Sequence, residues 1–401
     1  MTASSALPSK LLFISTFPPT KCGIASFTQD LINAITGEGD CSWAIRVCAL
    51  DKTANKDKYA HPVSSVMDSH RLESYIENAD LINHDPSIML VFIEHEFGLF
   101  SGDLGDSLLG FLSLINKPVV VRFHTVLPAT NAKMTRVVQA IASQVKKVVV
   151  MTAHAAGLLQ KDYLVPAKKI AVIPHGTHDA CTASAVEMKS KYKLDNRLVL
   201  TTFGLLSPNK GIEKGILAMR EVVKVLPQAI YVVIGQTHPN LIAWEGEKYR
   251  DYLQQLISDN NLDRNVQLLN EYVPTPMLME YLALTDIYMF TSKDPNQAVS
   301  GTFLYAMSAG CAVITNSFVM AREVIDGSNG IILETDGEEE LAAKAIMLLQ
   351  DDRLRSQMRN NAFLSTRETA FKKVARKHFF LFDEIGSMSA AERTFSDLII
   401  S

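Results

Sequence analysis

Two stretches of this sequence carry the equipment to grip an anion. The first, Thr202-Phe203-Gly204-Leu205-Leu206-Ser207-Pro208-Asn209-Lys210-Gly211, follows an apolar run and opens a helical pattern. Gly204 lets backbone come close to a ligand, and Lys210 is a point charge able to reach a diphosphate, with Asn209 beside it. The plainer reading is a solvated lysine at a helix start. The second stretch, Gln297-Ala298-Val299-Ser300-Gly301-Thr302, precedes a helix through Ala309. Ser300, Gly301 and Thr302 at a helix start offer unpaired N–H groups and two hydroxyls, the means to hold a diphosphate. Simple N-capping by Ser300 fits the same pattern, and the two roles are compatible. A weaker third candidate is Thr16–Gly23, where Gly23 alone supplies the glycine and a plain strand-to-helix turn fits as well.

The first half holds a different set of groups. Glu94-His95-Glu96-Phe97-Gly98 closes an apolar run, and its charges fall at the run's C-terminal end. Carboxylates there could orient hydroxyls or act as a base. In an extended segment Glu94 and Glu96 share one face and His95 takes the other. His124 follows Val119–Phe123, where a lone histidine is either a satisfied polar group or an active-site one. His175 and His178 have no nearby third ligand, so no metal site is expected.

These groups need strands that end beside them. Apolar runs occur at Leu11–Ile14, Ile45–Ala49, Met89–Ile93, Val119–Phe123, Val148–Met151 and Ile170–Ile173. A second series follows at Leu198–Phe203, Ile230–Ile234, Val266–Leu269, Ile287–Phe290, Ala312–Thr315 and Ile331–Leu333. Helical patterns lie between them, such as Ile24–Ile35, Leu104–Ile115, Ile212–Val225, Tyr249–Ser258 and Gly337–Leu349. Continuous apolar strands alternating with helices imply parallel sheets covered on both faces. The expected fold class is α/β, with two Rossmann-like doubly wound domains facing each other across a cleft. Such sheets bind ligands at the C-terminal ends of their strands. The expected domains are 1–180, 190–375 and a terminal helix, 376–401, returning to the N-terminal domain. The polar stretch His178–Asn196 is the expected linker.

Composition narrows the function. The 401 residues carry 39 basic and 43 acidic side chains, a net charge of −4, which lacks the basic surplus of a nucleic-acid binder. Residues 1–178 carry 16 Lys/Arg and 15 Asp/Glu, so no strongly basic membrane-facing half stands out and membrane contact is expected to be peripheral at most. No apolar run reaches bilayer length, and Met1–Lys10 lacks a signal-peptide core. Five cysteines (Cys22, Cys41, Cys48, Cys181, Cys311) without Cys-x-x-Cys spacing read as reduced thiols, and a cytoplasmic location is expected.

Taken together, the motifs resemble the retaining family-4 glycosyltransferases, of GT-B architecture. The likeness rests on Phe17-Pro18-Pro19 with Gly23, His124, Pro174-His175-Gly176, Gly204–Gly211, and Gln297–Gly310 ending Ala306-Met307-Ser308-Ala309-Gly310. It spans almost the whole chain, and the order and spacing of the motifs carry it. The resemblance implies a nucleotide diphosphate-sugar donor held mainly by the C-terminal domain, an acceptor mainly on the N-terminal domain, and no required metal or other cofactor. GDP-mannose and UDP-glucose are candidate donors. By the same resemblance the diphosphate-binding lysine maps onto Lys210, the donor loop onto Gln297–Thr302, and the active-site histidine onto His124. The implied activity is that of a hexosyltransferase acting with retention on a sugar or glycan acceptor, with His124, Lys210 and Gln297 as its catalytic set.

The sequence departs from the family pattern at three places. Leu205 stands where an arginine is usual, and Gln297 and Tyr305 replace two glutamates eight positions apart. Gln297 still donates and accepts hydrogen bonds but carries no charge. Ser300, Gly301 and Thr302 are expected to supply the phosphate contacts of the missing arginine. The departures keep two other readings open: a non-catalytic nucleotide-sugar or glycan-binding module on the same fold, and a sugar-nucleotide epimerase. Base contacts are expected around Glu271–Pro274, largely through backbone.

Overall fold

A computed structural model describes residues 9–37, 43–52, 55–128 and 131–400, with residues 387–400 by backbone alone. Cys41 and the segment before Ser9 lie outside the described residues. The chain divides into two units, 1–176 with 371–401, and 177–370.

The first unit is built on seven parallel strands: β1 (Lys10–Ser15), β2 (Ala44–Leu50), β3 (Val63–Met67), β4 (Ile88–His95), β5 (Val119–Phe123), β6 (Lys147–Val150) and β7 (Ile170–Val172). Their order is β3-β2-β1-β4-β5-β6-β7. The strand order reverses between β1 and β4, and the helix Gly23–Gly37 begins shortly after β1. Strand β3 was not among the expected runs. Its sequence, Val-Ser-Ser-Val-Met, is interrupted by two serines and it lies at the sheet edge, where one side needs less apolar cover.

Side chains alternate between the two faces of this sheet, and both faces are buried. On one face Leu12, Ile14, Val91 and Ile93 join a core that includes Phe111, Ile141 and Leu159. On the other face Phe13 and Phe92 meet Phe382 of the C-terminal helix Phe371–Ile400, with ring centroids 6.5 and 5.6 Å away. Phe382 is fully buried, whereas its neighbour Phe380 is exposed, as a helical period demands. The chain therefore completes its first unit with its last helix.

The second unit has six parallel strands: β8 (Leu198–Phe203), β9 (Ala229–Ile234), β10 (Val266–Leu269), β11 (Ile287–Phe290), β12 (Ala312–Thr315) and β13 (Ile331–Ile332). Their order, β10-β9-β8-β11-β12-β13, is doubly wound, with the reversal between β8 and β11. The expected linker His178–Asn196 is a misplacement. It contains the helix Ala185–Lys191, which belongs to the second unit. Ser184 and Glu187 form a reciprocal capping box there, with Ser184 N donating to Glu187 Oε2 at 2.7 Å and Glu187 N to Ser184 Oγ at 3.2 Å. The helix buries no side chain fully, so its sequence shows little apolar periodicity.

Among the described residues no helix is long and apolar enough to cross a membrane.

Candidate functional site

Each sheet places its chemistry at the C-terminal end of its reversal point, where two strands diverge and leave a crevice. In the first unit the groups stand at the end of β4, which flanks the reversal point, and at the end of its neighbour β5. Parallel pairing sets Glu94 beside Arg122 and His95 beside Phe123. The Glu94 carboxylate is fully buried, with Oε1 accepting from Arg122 Nη1 at 3.1 Å and Oε2 lying 2.8 Å from His124 Nε2. Arg122 is itself 1% exposed, and its guanidinium lies over the rings of Phe27 and Phe92, each 4.9 Å away. A second nitrogen of Arg122 meets His378 Nε2 on the terminal helix.

The tautomer of His378 follows from its other partner. Its Nδ1 lies 2.7 Å from the Val374 carbonyl, which can only accept, so the proton sits on Nδ1 and Nε2 accepts from Arg122. Burial, reinforced by the Arg122 charge, holds the His378 pKa well below its usual value, so the ring is neutral. A four-residue chain thus runs His378–Arg122–Glu94–His124. Its first three members are buried, and His124 at the far end is only partly so, its ring edge-on to Phe27 at 5.5 Å. With Nε2 engaged by Glu94, the imidazole has Nδ1 as its remaining polar atom.

The other residues of the Glu94-His95-Glu96 run do different things. His95 points to the opposite face, as expected, but into an aromatic cage of Phe97, Phe100 and Phe123, with ring centroids 5.3, 5.8 and 4.8 Å away. Neither ring nitrogen has a hydrogen-bond partner, and burial pushes the pKa down to about 3. Glu96 accepts from the Thr125 hydroxyl at 2.6 Å and tethers the loop that carries His124. Glu94 reads in the sequence as an acceptor-side carboxylate able to orient hydroxyls or act as a base. The structure corrects this, because both of its oxygens are spent on Arg122 and His124 and no part of it is exposed. Gly23 opens the helix after β1, and a Cβ there would meet nothing within 4 Å, so no protein neighbour requires the glycine.

In the second unit the groups gather after β8 and β11. The turn after β8 is locked to the turn after β9: Leu206 N donates to Gln236 O at 2.8 Å and His238 N to Leu206 O at 2.9 Å. Gly235, which the sequence reading missed, has φ 149°, and a Cβ on it would collide with the Gly204 carbonyl. The Gly204 loop ends in a short 3-10 turn, Pro208–Lys210, closed by Gly211 at φ 61°, where a Cβ would strike the Thr291 carbonyl beyond β11. Thr291 Oγ1 donates to Lys210 O at 2.9 Å and Lys293 N to Asn209 O at 2.8 Å, fixing this turn against the β11 loop.

The Lys210 side chain is half-buried, and burial lowers its pKa. Among the described residues no carboxylate pairs with its ammonium. The nearby His238 is depressed in turn, chiefly by burial and then by the Lys210 charge. Two basic groups without an acid between them make an environment short of negative charge.

The β11 loop leads into the helix Gly301–Ser308, whose first turn presents backbone donors. Ser300 caps it, its hydroxyl accepting from Phe303 N at 3.4 Å and lying 3.2 Å from Thr302 Oγ1. Gln297 holds the loop in shape: Oε1 accepts from Ser292 Oγ at 3.1 Å, and Nε2 donates to Val299 O at 3.0 Å. Tyr305 lies in that helix with its ring 6.4 Å from Phe203 and nearly parallel, and 4.7 Å from His178. Thr302 Cγ2 would be 3.5 Å from a Cβ on Gly204, so the Gly204 and Ser300 stretches are neighbours. Among the described residues no group of three or more His, Cys, Asp or Glu side chains could hold a metal ion.

Residues 185–364, nearly all of the second unit, match the family model of Glycosyl transferases group 1. A glycosyltransferase of Methanocaldococcus jannaschii without assigned specificity is 27% identical over 204 residues, covering 50% of this chain and 48% of that protein. A Campylobacter jejuni relative, named for transferring N-acetylgalactosamine to a diphospho-undecaprenol-linked sugar, is 32% identical over 127 residues, 31% of this chain and 33% of that protein. The chain thus spans about half or less of the length of the curated relatives it matches. In fold, the HepE protein of Anabaena in complex with UDP superposes with a TM-score of 0.74 at 17% identity, over 94% of this chain and 100% of that one. Sucrose-phosphate synthase of Thermosynechococcus elongatus gives 0.73 at 13% identity, over 94% and 100%. The fold class is GT-B, with two Rossmann-like parallel-sheet units.

Proposed function

We propose that this chain is a glycosyltransferase that moves a hexose from a nucleotide diphosphate-sugar to a sugar or glycan acceptor with retention of anomeric configuration. The observation that carries the reading is Lys210: a half-buried ammonium with no acidic partner among the described residues, on the loop whose Gly204 lies against Thr302 of the helix start. A departing diphosphate is the group such a place favours, because negative charge grows on it as the C–O bond breaks. Gly204, Asn209, Gly301 and Thr302 supply backbone and polar contacts to the same anion, and Tyr305 offers a ring beside it. HepE, which shares the fold, is described with UDP and with UDP-glucose, which supports a nucleotide-sugar donor here.

His124 serves the acceptor side. Glu94 fixes its Nε2, and Nδ1 is left to meet a substrate hydroxyl. Glu94 then acts as a positioning residue rather than one that touches substrate. Gln297 contributes by shaping the donor loop, since half of its hydrogen-bonding capacity is already committed. Gly23 lets an incoming ligand approach the helix start it opens. The diphosphate oxygen takes the acceptor proton in this reading, so neither a protein nucleophile nor a metal is assigned, and the protein works in the cytoplasm.

Incubation with a panel of UDP-, GDP- and ADP-sugars, followed by detection of released nucleotide diphosphate, tests the reading. Release from at least one donor, raised by an acceptor, is expected. Nucleotide binding without release from any donor would favour the non-catalytic module, which the uncharged Gln297 motivates. A changed sugar without an acceptor would favour an epimerase.

A further inference from the structure

The C-terminal ends of β11, β12 and β13 border an open cavity of about 290 Å³. None of Gly204, Lys210 and Ser300 lines it. We propose that this cavity is a second site, for a neutral polyhydroxylated molecule of about the size of one monosaccharide. The inference does not rest on the donor assignment.

Asn316 is the central residue. It is 9% exposed and lines the cavity. Its Nδ2 donates to Ser292 O at 2.8 Å and to Asp336 Oδ1 at 2.9 Å. The backbone carbonyl can only accept, so the amide cannot be turned the other way without setting oxygen against oxygen. Its Oδ1 is therefore the atom left over, and that buried oxygen has no hydrogen-bond partner. A buried acceptor left unpaired is costly, and a ligand donor would remove the cost.

The rest of the wall asks for donors too. The Ser292 hydroxyl gives its proton to Gln297 Oε1, and the Thr335 hydroxyl gives its own to Glu340 Oε2 at 2.7 Å, so each oxygen faces a ligand as an acceptor. Ser317 Oγ accepts from Arg322 and keeps its hydroxyl proton. The charges are largely spoken for. Lys293 pairs with Glu213 at 2.5 Å, and Asp336 pairs with Lys214. Glu334 adds a carboxylate at the rim, which disfavours phosphates and other anions. Several separated acceptors, balanced charge and a volume near the lower end of small-molecule sites fit a ring bearing hydroxyls. The Ser292–Gln297 hydrogen bond links this wall to the loop before the helix Gly301–Ser308, so occupancy can be felt there.

Calorimetry on the full chain tests this, with glucose, mannose, galactose, N-acetylglucosamine and inositol as probes and methylamine as a cationic one. At least one neutral probe is expected to bind saturably. Asn316→Leu should weaken it about tenfold, the loss of one well-placed hydrogen bond. Ser317→Trp, at an exposed rim position, should plug the cavity and abolish it. The rim variant decides the matter if Asn316→Leu fails to fold. Lys210→Ala should leave polyol binding within twofold. Saturable binding by no neutral probe, binding unaffected by Ser317→Trp, or preferential binding of methylamine would overturn the proposal. Parallel loss in Lys210→Ala would place the sugar in the donor site and overturn it as well, without touching the donor reading.

Discussion

Glu94 Oε2 and His124 Nε2 stand 2.8 Å apart at the ends of two adjacent parallel strands, and the glutamate's other oxygen is held by a buried arginine. The histidine is thereby held in one orientation by a carboxylate that solvent does not reach.

Replacing Glu94 by Gln removes the counter-charge of Arg122 while keeping the shape. An arginine left buried without its partner costs about 3–5 kcal/mol. Chemical denaturation should show a loss in that range for Glu94→Gln. His124→Ala, at the partly exposed end of the chain, should cost less stability while lowering transfer by about 10²-fold or more. Equal stability losses for the two variants would mean that Arg122 does not depend on Glu94.

The last helix is tied to the same network. His378→Leu removes the acceptor that Arg122 uses on its far side, and the buried donor then costs about 1–3 kcal/mol. The expected readout is a lower unfolding midpoint together with a slower turnover at saturating substrate, because Glu94 loses its anchor. Rescue of turnover by His378→Gln, which restores an acceptor, is expected. No change in either quantity would detach the helix from the site.

Much of this architecture is legible in the chain. The strands of the second sheet are short apolar runs bounded by polar turns, and His124, Gly204 and Lys210 stand out because each follows such a run. Four features are not legible there. His378 lies 256 residues from Arg122 and is only one polar residue in an aromatic-rich helix. Arg122 interrupts an apolar strand and gives no sign that its charge is met within the fold. Gly235 looks like any turn glycine until the Gly204 carbonyl is seen against it. The helix Ala185–Lys191 shows no apolar stripe, so only its capping box could have revealed it.

Low pH should destabilise the protein through two histidines. His95 is pushed to about 3 and His378 is also depressed, so in the folded state neither takes a proton in mildly acid solution. The unfolded chain takes both once the pH falls below about 6.5, the ordinary histidine value. The unfolded state then binds more protons, and stability present above pH 6.5 is lost as the pH drops. Each histidine contributes about 1.4 kcal/mol per pH unit between its unfolded and folded values. His95→Phe should lessen the slope of unfolding free energy between pH 6 and 5 by about one proton's worth. An unchanged slope would show that His95 is protonated in the fold.

The two glycine turns separate packing from function. Gly235→Ala forces a Cβ into the Gly204 carbonyl and should cost about 2 kcal/mol or more. Gly23→Ala meets no neighbour and should change stability by less than about 0.5 kcal/mol, while still reducing transfer if that helix start receives a ligand. Differential scanning calorimetry distinguishes them, and a large loss in Gly23→Ala would contradict the open space around it.

The donor assignment is tested most directly by titrating UDP, GDP and ADP into the protein and its Lys210→Ala variant by calorimetry. At least one nucleotide should bind the unaltered chain, and the variant should bind it about 10–100-fold more weakly, the worth of a charged hydrogen bond in a desolvated place. Equal affinity in the two proteins, or no binding of any nucleotide diphosphate to the unaltered chain, would contradict the account.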